Sequence, residues 1–324
     1  MPEPVANSSA AGESRPTPQV RGRFAPSPTG PLHFGSLVCA LASFLDARTR
    51  GGAWHVRIED LDGARCQRSH ADTILRQLET FGLTWDGDIV WQSARGERYA
   101  DILASLKAAG RIYACACSRQ DIAAVAALAI EQGRPHPDAY PGTCRHGLPP
   151  GRKARSYRLA VPPGLVEFVD RIQGPVIQDV AAEIGDFVVK RADGPHAYQL
   201  AVVADDTDLG ITDVVRGADL LDSTARQIVL HGLLGWQAPR YAHVPLAVDR
   251  HGHKLSKQNL APPLGRHPVA RELADALGFL GLPPPADLTG SSAAEILCWA
   301  IAHFDLGRIP SAPTVPALPA YCGA

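Results

Sequence analysis

The stretch RGRFAPSPTGPLHFGS, residues 21–36, decides the fold of this chain, because it passes from a strand through a broken loop into a helix. Arg21 to Ala25 is a short strand-like run. It ends in residues 26–31, where three prolines and a glycine exclude regular structure. Helix-compatible sequence resumes directly afterwards, so a helix is expected to begin where this loop ends.

The sequence that follows predicts this helix and a second strand. Apolar residues recur at helical spacing from Leu37 to Leu45 until Gly51-Gly52 supplies a stop, and Trp54 to Ile58 then alternates as a strand. Strand, loop, helix and strand in this order open a nucleotide-binding βαβ unit. The first N–H groups of such a helix and the positive end of its dipole face any phosphate placed at the loop.

A second unit of the same kind is expected towards the other end of the chain. Leu200 to Ala204 predicts a near-continuous apolar strand, Val214-Val215 predicts another, and Ser223 to Leu234 predicts an amphipathic helix that ends at the next glycine. Continuous apolar strands are typical of a buried parallel sheet. The acidic run over residues 205–208 is expected to be a loop rather than a magnesium site.

The order of the expected elements and the composition along the chain suggest an α/β protein whose nucleotide-binding domain is interrupted by an insertion. The expected segments are a flexible tail (1–20), two halves of a Rossmann-like domain (21–108 and 196–262), an insertion (109–195) and a helical appendix with a tail (263–324). The insertion is richer in proline, glycine, cysteine and arginine than its flanks. Helical patterns at Val269–Leu277 and Ala293–Phe304 supply the appendix.

Overall composition excludes several classes of protein. The chain has 324 residues, 45% apolar and 20% charged, with a net charge of -1, so it is neither disordered nor polybasic. Its longest uninterrupted apolar run, Ile122–Ile130, is far shorter than the roughly 20 residues that cross a bilayer. The first twenty residues lack the apolar stretch of a secretory signal. We therefore expect a cytoplasmic protein that contacts neither membrane nor DNA.

Positive charge and cysteine gather in the expected insertion. Between Arg111 and Ala160, eight basic residues stand against three acidic ones, a local excess of five positive charges. Such a patch either binds a polyanion such as RNA or is a solvated basic loop. The chain has seven cysteines, an odd number without an export signal, so a disulfide framework is not expected. Three of the seven lie within this region.

Two short segments carry residue types suited to a nucleotide. His33-Phe34-Gly35-Ser36 lies at the expected helix start, where the imidazole can donate to a phosphate and the glycine lets a base or ribose approach the backbone. Lys254-Leu255-Ser256-Lys257 follows a strand-like run, Val244–Val248, and holds two of the chain's five lysines. A flexible ammonium there can follow the charge of a triphosphate as pyrophosphate forms. A structural histidine and a surface turn are the plainer alternatives.

Taken together, the segments resemble the glutamyl subgroup of the class I aminoacyl-tRNA synthetases. The resemblance covers about residues 20 to 265 and rests on five motifs in the family's order: Arg23–Gly30, His33–Ser36, Arg57–Asp60, Arg216–Asp219 and Lys254–Lys257. Two positions depart from the class pattern. Ser36 stands where a second histidine is usual, and Gln258 stands where the lysine motif usually continues with a basic residue and serine.

The resemblance implies activation of L-glutamate by ATP, with Mg²⁺ accompanying the ATP. It assigns catalytic roles to His33, Gly35, Lys254 and Lys257, of which His33, Gly35 and Lys257 also bind ATP. The positions that it assigns to glutamate binding are Arg23, Phe24, Ala25, Pro26, Ser27, Glu59, Tyr198 and Arg216. The plainer alternatives are a surface ion pair between Arg23 and Glu59 and a core role for Tyr198.

The resemblance also implies one structural zinc ion in the insertion, held by Cys115, Cys117, Tyr140 and Cys144. Thiolates two residues apart can converge on one metal, and two ligands from a distant loop then complete a tetrahedral site. Because tyrosine is an uncommon zinc ligand, His136 and His146 remain alternatives for the fourth position. A set of free, buried cysteines is the alternative to a metal site.

Chain length selects a branch of the family. Full glutamyl members carry a large helical anticodon-binding region after the lysine motif, and the 67 residues from Gln258 to Ala324 are too few for it, so no anticodon-binding domain is expected. A shortened core with a cysteine-bearing insertion resembles the members that attach glutamate to queuosine in the anticodon of tRNA(Asp). Three alternatives stay open: a truncated synthetase charging the 3′ end of tRNA(Glu), a nucleotidyltransferase, and a zinc-stapled RNA-binding module without enzymatic activity.

Overall fold

The computed structural model of the chain describes residues 19–255 and 261–322. The first part contains β1 (Arg21–Phe24), α1 (Phe34–Arg48), β2 (Ala53–Ile58), α2 (Arg68–Thr80), β3 (Val90–Trp91) and α3 (Gly96–Ala108). The middle part contains β4 (Ile112–Cys115), α4 (Arg119–Glu131), β5 (Ser156–Leu159), β6 (Val166–Asp170), β7 (Gly174–Gln178), α5 (Val180–Glu183) and β8 (Val188–Lys190).

The last part returns to alternating helices and strands. It contains α6 (Tyr198–Asp208), β9 (Asp213–Gly217), α7 (Leu221–Leu234), β10 (Arg240–Val244), β11 (Leu246–Val248), α8 (Val269–Phe279), α9 (Ala293–His303) and β12 (Thr314–Pro316). Short 3₁₀ turns lie at Gln92–Arg95, Ala218–Leu220, Ala286–Gly290, Leu306–Arg308 and Pro319–Tyr321.

Parallel strands from both ends of the chain form the centre of the fold. β1 pairs with β2 and β2 with β3, while β9 pairs with β10, each pair parallel. β1 lies beside β9, because the N–H of Thr212 donates to the carbonyl of Arg21 at 3.0 Å where both strands begin. The carboxyl ends of these strands therefore meet at one edge, where α/β folds commonly bind ligands.

Helix α1 is the centre of the largest hydrophobic core. Its residues Leu37, Leu41 and Leu45 are fully buried and belong to one cluster with β2 and with the helices of the appendix. The ring of Phe34 stacks on Tyr321 with centroids 4.1 Å apart and meets Phe279 edge-on at 5.8 Å. The appendix thus covers the start of α1 and holds the loop before it in place.

One predicted strand is wrong. Leu200–Ala204 lies inside α6, and the acidic run 205–208, expected to be a loop, ends the same helix. This helix packs between α3 and α7 and is buried from Gln199 to Asp206, so apolar side chains cover nearly its whole circumference. A helix buried on all sides has no apolar stripe, and a short apolar run cannot be told from a strand by periodicity.

The other expected helices and strands are confirmed, but one expected strand is divided into two. Val214-Val215 lies in β9, and α7 ends at Gly235, whose φ of 69° is the left-handed value that favours glycine at a helix end. The two helices of the appendix are α8 and α9. The run Val244–Val248 is split between β10 and β11 by Pro245, which has no N–H to continue a ladder.

The middle part of the chain folds as antiparallel structure. β4, β5 and β8 form one small sheet, and β6 and β7 form a hairpin. The hairpin reaches the central strands, because the N–H of Arg171 donates to the carbonyl of Tyr241 at 2.9 Å. No helix within residues 19–255 and 261–322 combines the length and the apolarity that crossing a bilayer requires.

Candidate active site

A cavity of about 560 Å³ opens at the carboxyl ends of β1 and β9. It is lined by every described residue that the sequence analysis assigned to glutamate, ATP or catalysis: Arg23, Phe24, Ala25, Pro26, Ser27, His33, Gly35, Glu59, Tyr198, Arg216 and Lys254. Lys257 falls in 256–260, outside the described residues. The fold therefore brings together side chains that are far apart in sequence.

His33 is the residue that caps the N-terminus of α1. Its Nδ1 accepts a hydrogen bond from the N–H of Ser36 at 3.3 Å, so the neutral ring carries its proton on Nε2. A Cβ at position 35 would lie 3.3 Å from Cε1 of His33 and 3.4 Å from its Nδ1. Glycine at this position thus leaves the imidazole undisturbed at the helix end, where N–H groups favour an anion.

Lys254 enters the cavity from the segment after β11. The N–H of Leu255 donates to the carbonyl of Ala247 at 2.8 Å, which holds the segment against the strand. Nζ of Lys254 lies 2.5 Å from Oδ2 of Asp219, and both side chains are partly exposed. An ammonium at the cavity wall beside one carboxylate can interact with a phosphate group.

Arg23 and Glu59 belong to a buried ionic network, not to a surface ion pair. Nε of Arg23 lies 3.2 Å from Oδ1 of Asp206. The same oxygen lies 2.5 Å from Arg57, whose other terminal nitrogen lies 3.0 Å from Glu59. Arg57 is completely buried and thus links Asp206 to Glu59.

The two carboxylates of this network have opposite pKa shifts. Burial raises the pKa of Glu59, although Arg57 acts in the opposite direction. Burial would also raise the pKa of Asp206, but the guanidiniums of Arg23 and Arg57 outweigh it and lower the value to about 2. Asp206 is therefore a permanent anion that fixes both arginines. Glu59, in contrast, lines the cavity, where its carboxyl group can face a ligand.

Arg216 is a guanidinium oriented by neutral groups. Its Nε donates to Nε2 of His243 at 3.0 Å, and one terminal nitrogen donates to Oγ1 of Thr224 at 2.9 Å and to the carbonyl of Leu220 at 3.3 Å. The other terminal nitrogen, Nη1, is buried without a hydrogen-bond partner in the described part of the chain. A buried donor left in this way at a cavity wall suits a ligand carboxylate.

Tyr198 is the first residue of α6, the helix that replaces the predicted strand Leu200–Ala204. It is half-buried at the cavity wall. Burial raises its pKa, and the carboxylate of Glu59 adds to the effect, so its hydroxyl remains protonated as a hydrogen-bond group.

A second cluster lies in the middle part of the chain, at Cys115, Cys117 and Cys144. The three sulfurs lie within 4.8 Å of one another, and Oη of Tyr140 lies 3.3 Å from Sγ of Cys115 and 3.5 Å from Sγ of Cys117. Tetrahedral zinc with Zn–S bonds of roughly 2.3 Å requires sulfurs about 3.8 Å apart, so the donors fit this metal after a small contraction. No histidine joins the cluster in the described residues.

Arg158 packs against the cysteine cluster and donates a hydrogen bond to it. Its guanidinium carbon lies 3.6 Å from the centre of the Tyr140 ring, and its Nε donates to Sγ of Cys115 at 3.3 Å. Burial opposes ionisation of Cys115, but hydrogen bonds from Tyr140, the Cys117 backbone and Arg158 outweigh it and lower the pKa to about 7. A thiolate is the form that binds zinc.

The basic patch of the middle part is smaller than its sequence suggests. Arg158 is buried, while Arg145 and Arg152 lie against Asp186 and Asp121. The remaining basic residues of the patch are exposed: Arg111, Arg119, Arg134, Lys153 and Arg155. Arg145 and Arg152 are exposed too, but a carboxylate offsets the charge of each, so these five side chains carry most of the charge that can meet a polyanion.

A family model decides between the classes that the sequence left open. The family described as "tRNA synthetases class I (E and Q), catalytic domain" matches residues 19–271. The chain belongs to this family. The match contains both the cavity and the cysteine cluster, and it confirms the resemblance seen in the five motifs.

Curated relatives of this synthetase family match almost the whole chain. A protein named "Glutamyl-Q tRNA(Asp) synthetase" from Thiobacillus denitrificans is 54% identical over 294 residues, which cover 91% of this chain and 96% of the relative. A protein of the same name from Pseudomonas aeruginosa is 50% identical, with 91% and 97% of the two chains covered. The two chains in each comparison thus correspond over nearly their full lengths.

Solved structures of this synthetase family share the fold. A glutamate-tRNA synthetase from Elizabethkingia anophelis has a TM-score of 0.76 and 26% identity, covering 94% of this chain and 69% of that one. A glutamate tRNA ligase from Elizabethkingia meningosepticum, in complex with its amino acid, has a TM-score of 0.75 and 26% identity, with 93% and 67% covered.

Several residues that hold the synthetase site together were not predicted from the sequence. Arg57 and Asp219 stand within quoted motifs, which was the available signal for them. Asp206 lay in an acidic run that was interpreted as a loop. Asp170 and His243 carry no local motif, and only the packing of β6 against β10 reveals their role.

Proposed function

We propose that this chain activates L-glutamate with ATP and transfers the glutamyl group to queuosine in the anticodon of tRNA(Asp). The observation that carries the proposal is the single cavity in which carboxylate-binding arginines, an acidic counter-charge and the capped N-terminus of α1 meet. The choice of acceptor is supported by relatives named "Glutamyl-Q tRNA(Asp) synthetase", which the chain matches over 96% or 97% of their length.

Glutamate has two carboxylates and one ammonium group to be recognised. Nη1 of Arg216 offers a charged donor to one carboxylate, and Arg23, fixed by Asp206, offers a second guanidinium. Glu59 offers the counter-charge for the ammonium group, and Tyr198 adds a hydroxyl. Glutamine lacks the second negative charge, so a site of this kind discriminates against it.

The first chemical step is attack of the glutamate α-carboxylate on the α-phosphate of ATP, which forms glutamyl-adenylate and releases pyrophosphate. Charge develops on phosphate oxygens, where His33 donates from Nε2 and the N-terminus of α1 adds its dipole. The ammonium groups of Lys254 and Lys257 stabilise the negative charge of the departing pyrophosphate. Mg²⁺ bound with ATP would neutralise part of the phosphate charge.

In the second step the acyl group passes from the adenylate to a hydroxyl of the tRNA. No nucleophilic side chain of the protein is required, because the mixed anhydride is already activated. The exposed basic residues of the middle part are proposed to contact the tRNA backbone, so binding should weaken as salt rises. Because tRNA is its proposed acceptor, the protein is proposed to act in the cytoplasm and to have no DNA partner.

The cysteine cluster is proposed to hold one structural zinc ion through Cys115, Cys117, Cys144 and Tyr140. The proposal is supported by sulfurs gathered within 4.8 Å and by the guanidinium of Arg158 beside them. Four protein donors would leave no open position, so zinc would stabilise this part of the chain without entering the reaction.

The test of the function offers labelled glutamate to tRNA(Glu) and to tRNA(Asp) with and without queuosine, and locates the label by nuclease fragmentation. We expect glutamate-dependent ATP–pyrophosphate exchange and label on the anticodon fragment of the queuosine-containing tRNA alone. Label on the 3′-terminal adenosine of tRNA(Glu) would identify a truncated glutamyl-tRNA synthetase instead. Exchange without glutamate dependence would overturn the activation step as well.

A further inference from the structure

Behind Arg216 lies a buried pair formed by Asp170 and His243. Oδ2 of Asp170 lies 2.6 Å from Nδ1 of His243, and both side chains are completely buried. On the other side of the ring, Nε2 of His243 accepts from Nε of Arg216 at 3.0 Å. Asp170, His243 and Arg216 thus form a continuous chain from the end of β6, through β10, to the cavity wall on β9.

The hydrogen bonds fix which ring nitrogen of His243 carries the proton. Nε of Arg216 can only donate, so Nε2 of His243 must accept, and the proton must lie on Nδ1 facing Asp170. Asp170 is itself oriented, because its Oδ1 accepts from the backbone N–H groups of Ile172, Gln173 and His243 at 3.0, 2.9 and 3.1 Å. The carboxylate is therefore held where it selects this tautomer.

The hydrogen bonds from Asp170 through His243 to Arg216 also leave the positive charge of Arg216 available to a ligand. Arg23 is paired directly with a carboxylate, whereas the contacts recorded for Arg216 in the described residues are to neutral acceptors. A neutral imidazole between Asp170 and Arg216 orients the guanidinium without neutralising it. The buried Nη1 remains for a ligand.

We propose that Asp170 and His243 are positioning residues, which aim Nη1 of Arg216 at a glutamate carboxylate and keep its guanidinium uncompensated until glutamate binds. This inference rests on the proposed function, since it names the groups that set glutamate affinity at the same cavity. Neither residue touches the substrate. Both act through the orientation of Arg216.

The proposal requires a neutral His243. Burial lowers the pKa of His243 below its ordinary value of 6.5, and Arg216 and Arg23 act in the same direction, while Asp170 raises it. Oγ1 of Thr224 also lies 3.2 Å from Nε2 of His243, and the ring of Tyr241 is nearly parallel to the imidazole, with centroids 6.3 Å apart. Protonation would set an N–H of His243 against the N–H of Arg216. The KM for glutamate should therefore rise at low pH.

The first test is Asp170→Asn in ATP–pyrophosphate exchange. The amide keeps the size of the side chain but can donate to Nδ1, which moves the ring proton to Nε2 and against Arg216. We expect the KM for glutamate to rise on the order of 10- to 100-fold. The KM for ATP and kcat should stay within about threefold of the parent, a split that simple loss of structure would not give.

His243→Gln is the second variant. Its amide oxygen can take the place of Nε2 as the acceptor for Arg216, and it cannot titrate. We expect a smaller rise in the KM for glutamate than in Asp170→Asn, together with loss of the rise at low pH. The control is Asp213→Asn, which removes an equally buried carboxylate at the opposite end of β9, where Arg50, Arg171 and Arg240 pair with it.

Asp213→Asn should lose stability while leaving the KM for glutamate within about twofold of the parent.

The tautomer of His243 can be measured without any activity, from the ¹⁵N spectrum of the histidine-labelled protein. The ring proton should lie on Nδ1 in the parent and on Nε2 in Asp170→Asn. If the parent shows glutamate-dependent exchange and Asp170→Asn keeps the parental KM for glutamate, the positioning role of Asp170 and His243 is excluded, while the proposed function stands. Equal rises in the KM for glutamate and the KM for ATP, or a proton on Nε2 of His243 in the parent, would exclude the positioning role as well. A parent without glutamate-dependent exchange would overturn the proposed function, and the ¹⁵N spectrum would still decide the positioning role.

Discussion

The substitution Asp206→Asn tests whether the buried ionic network holds the cavity together. The carboxylate of Asp206 is 3% exposed and contacts both Arg23 and Arg57, which are 3% and 0% exposed. An amide of the same size keeps the packing but removes the negative charge. The positive charges of Arg23 and Arg57 then remain buried with one negative charge fewer beside them.

The size of the effect follows from the pKa and from the burial. A pKa lowered from 3.8 to about 2 corresponds to about 2 kcal/mol of stability at neutral pH, at 1.36 kcal/mol per pKa unit. Removing one partner of a buried ion pair costs about 3–5 kcal/mol. We expect Asp206→Asn to lose about 3 kcal/mol of the free energy of unfolding. The KM for glutamate should rise as well, because Arg23 loses its anchor.

The sign of the pH dependence is fixed by a lowered pKa. The contribution of the carboxylate is fully present above about pH 4 and is lost as pH falls through about 2. The difference between parent and Asp206→Asn should thus stay constant from pH 7 to pH 5. Urea unfolding followed by circular dichroism measures it at each pH.

Asp208→Asn is the matched control for this measurement. Asp208 lies on the same helix and pairs with Arg95 and Arg98, but its side chain is 28% exposed, so its ion pairs are worth about 1 kcal/mol or less. An Asp206→Asn variant within about 1 kcal/mol of the parent at pH 7 would show that the buried network does not hold the cavity together. An Asp208→Asn variant that loses as much as Asp206→Asn would show that burial of the carboxylate is not the cause.

Three further outcomes follow from the site and the cysteine cluster. Lys257→Ala should slow glutamate-dependent exchange about a hundredfold, or about 3 kcal/mol, with an unchanged unfolding transition; exchange at the parental rate would remove the lysine from catalysis. Gly35→Ala should raise the KM for ATP on the order of tenfold, because its Cβ would stand 3.3 Å from Cε1 of His33, and an unchanged KM for ATP would contradict this. Metal analysis should find one zinc per chain, lost in Cys144→Ser and on strong chelation but kept in the exposed control Cys298→Ser; a metal-free native protein would exclude the site.

The sequence predicted well those elements whose boundaries are marked by proline and glycine. The loop after β1, the start of α1 at His33 and the end of α7 at Gly235 each have a local chemical cause, so a window of a few residues determines them. The family motifs likewise placed the cavity residues, since each motif is contiguous. The roles of those residues in glutamate and ATP binding remain predictions.

What the sequence could not reveal depends on partners far along the chain. Asp205 and Asp206 look like a polar loop because acidic residues are rarely buried, and the arginines that make their burial possible lie 110 to 183 positions away. The pairing of Asp170 with His243 spans 73 positions, without any pattern that links them. These contacts bury α6 on all sides and leave it without an apolar stripe, which is why α6 was mistaken for a strand.

The adjacency of β1 and β9 has a consequence for how the chain folds during synthesis. Arg23 reaches Asp206 across 183 residues, and the loop that closes this distance must form before the site exists. At about 5–20 residues per second, the ribosome takes roughly 10 to 40 s to make that stretch. During this interval the edge of β1 that β9 will cover has no partner strand, and open strand edges attract other chains. Nascent chains stalled before residue 213 should therefore depend on chaperones far more than the finished protein does.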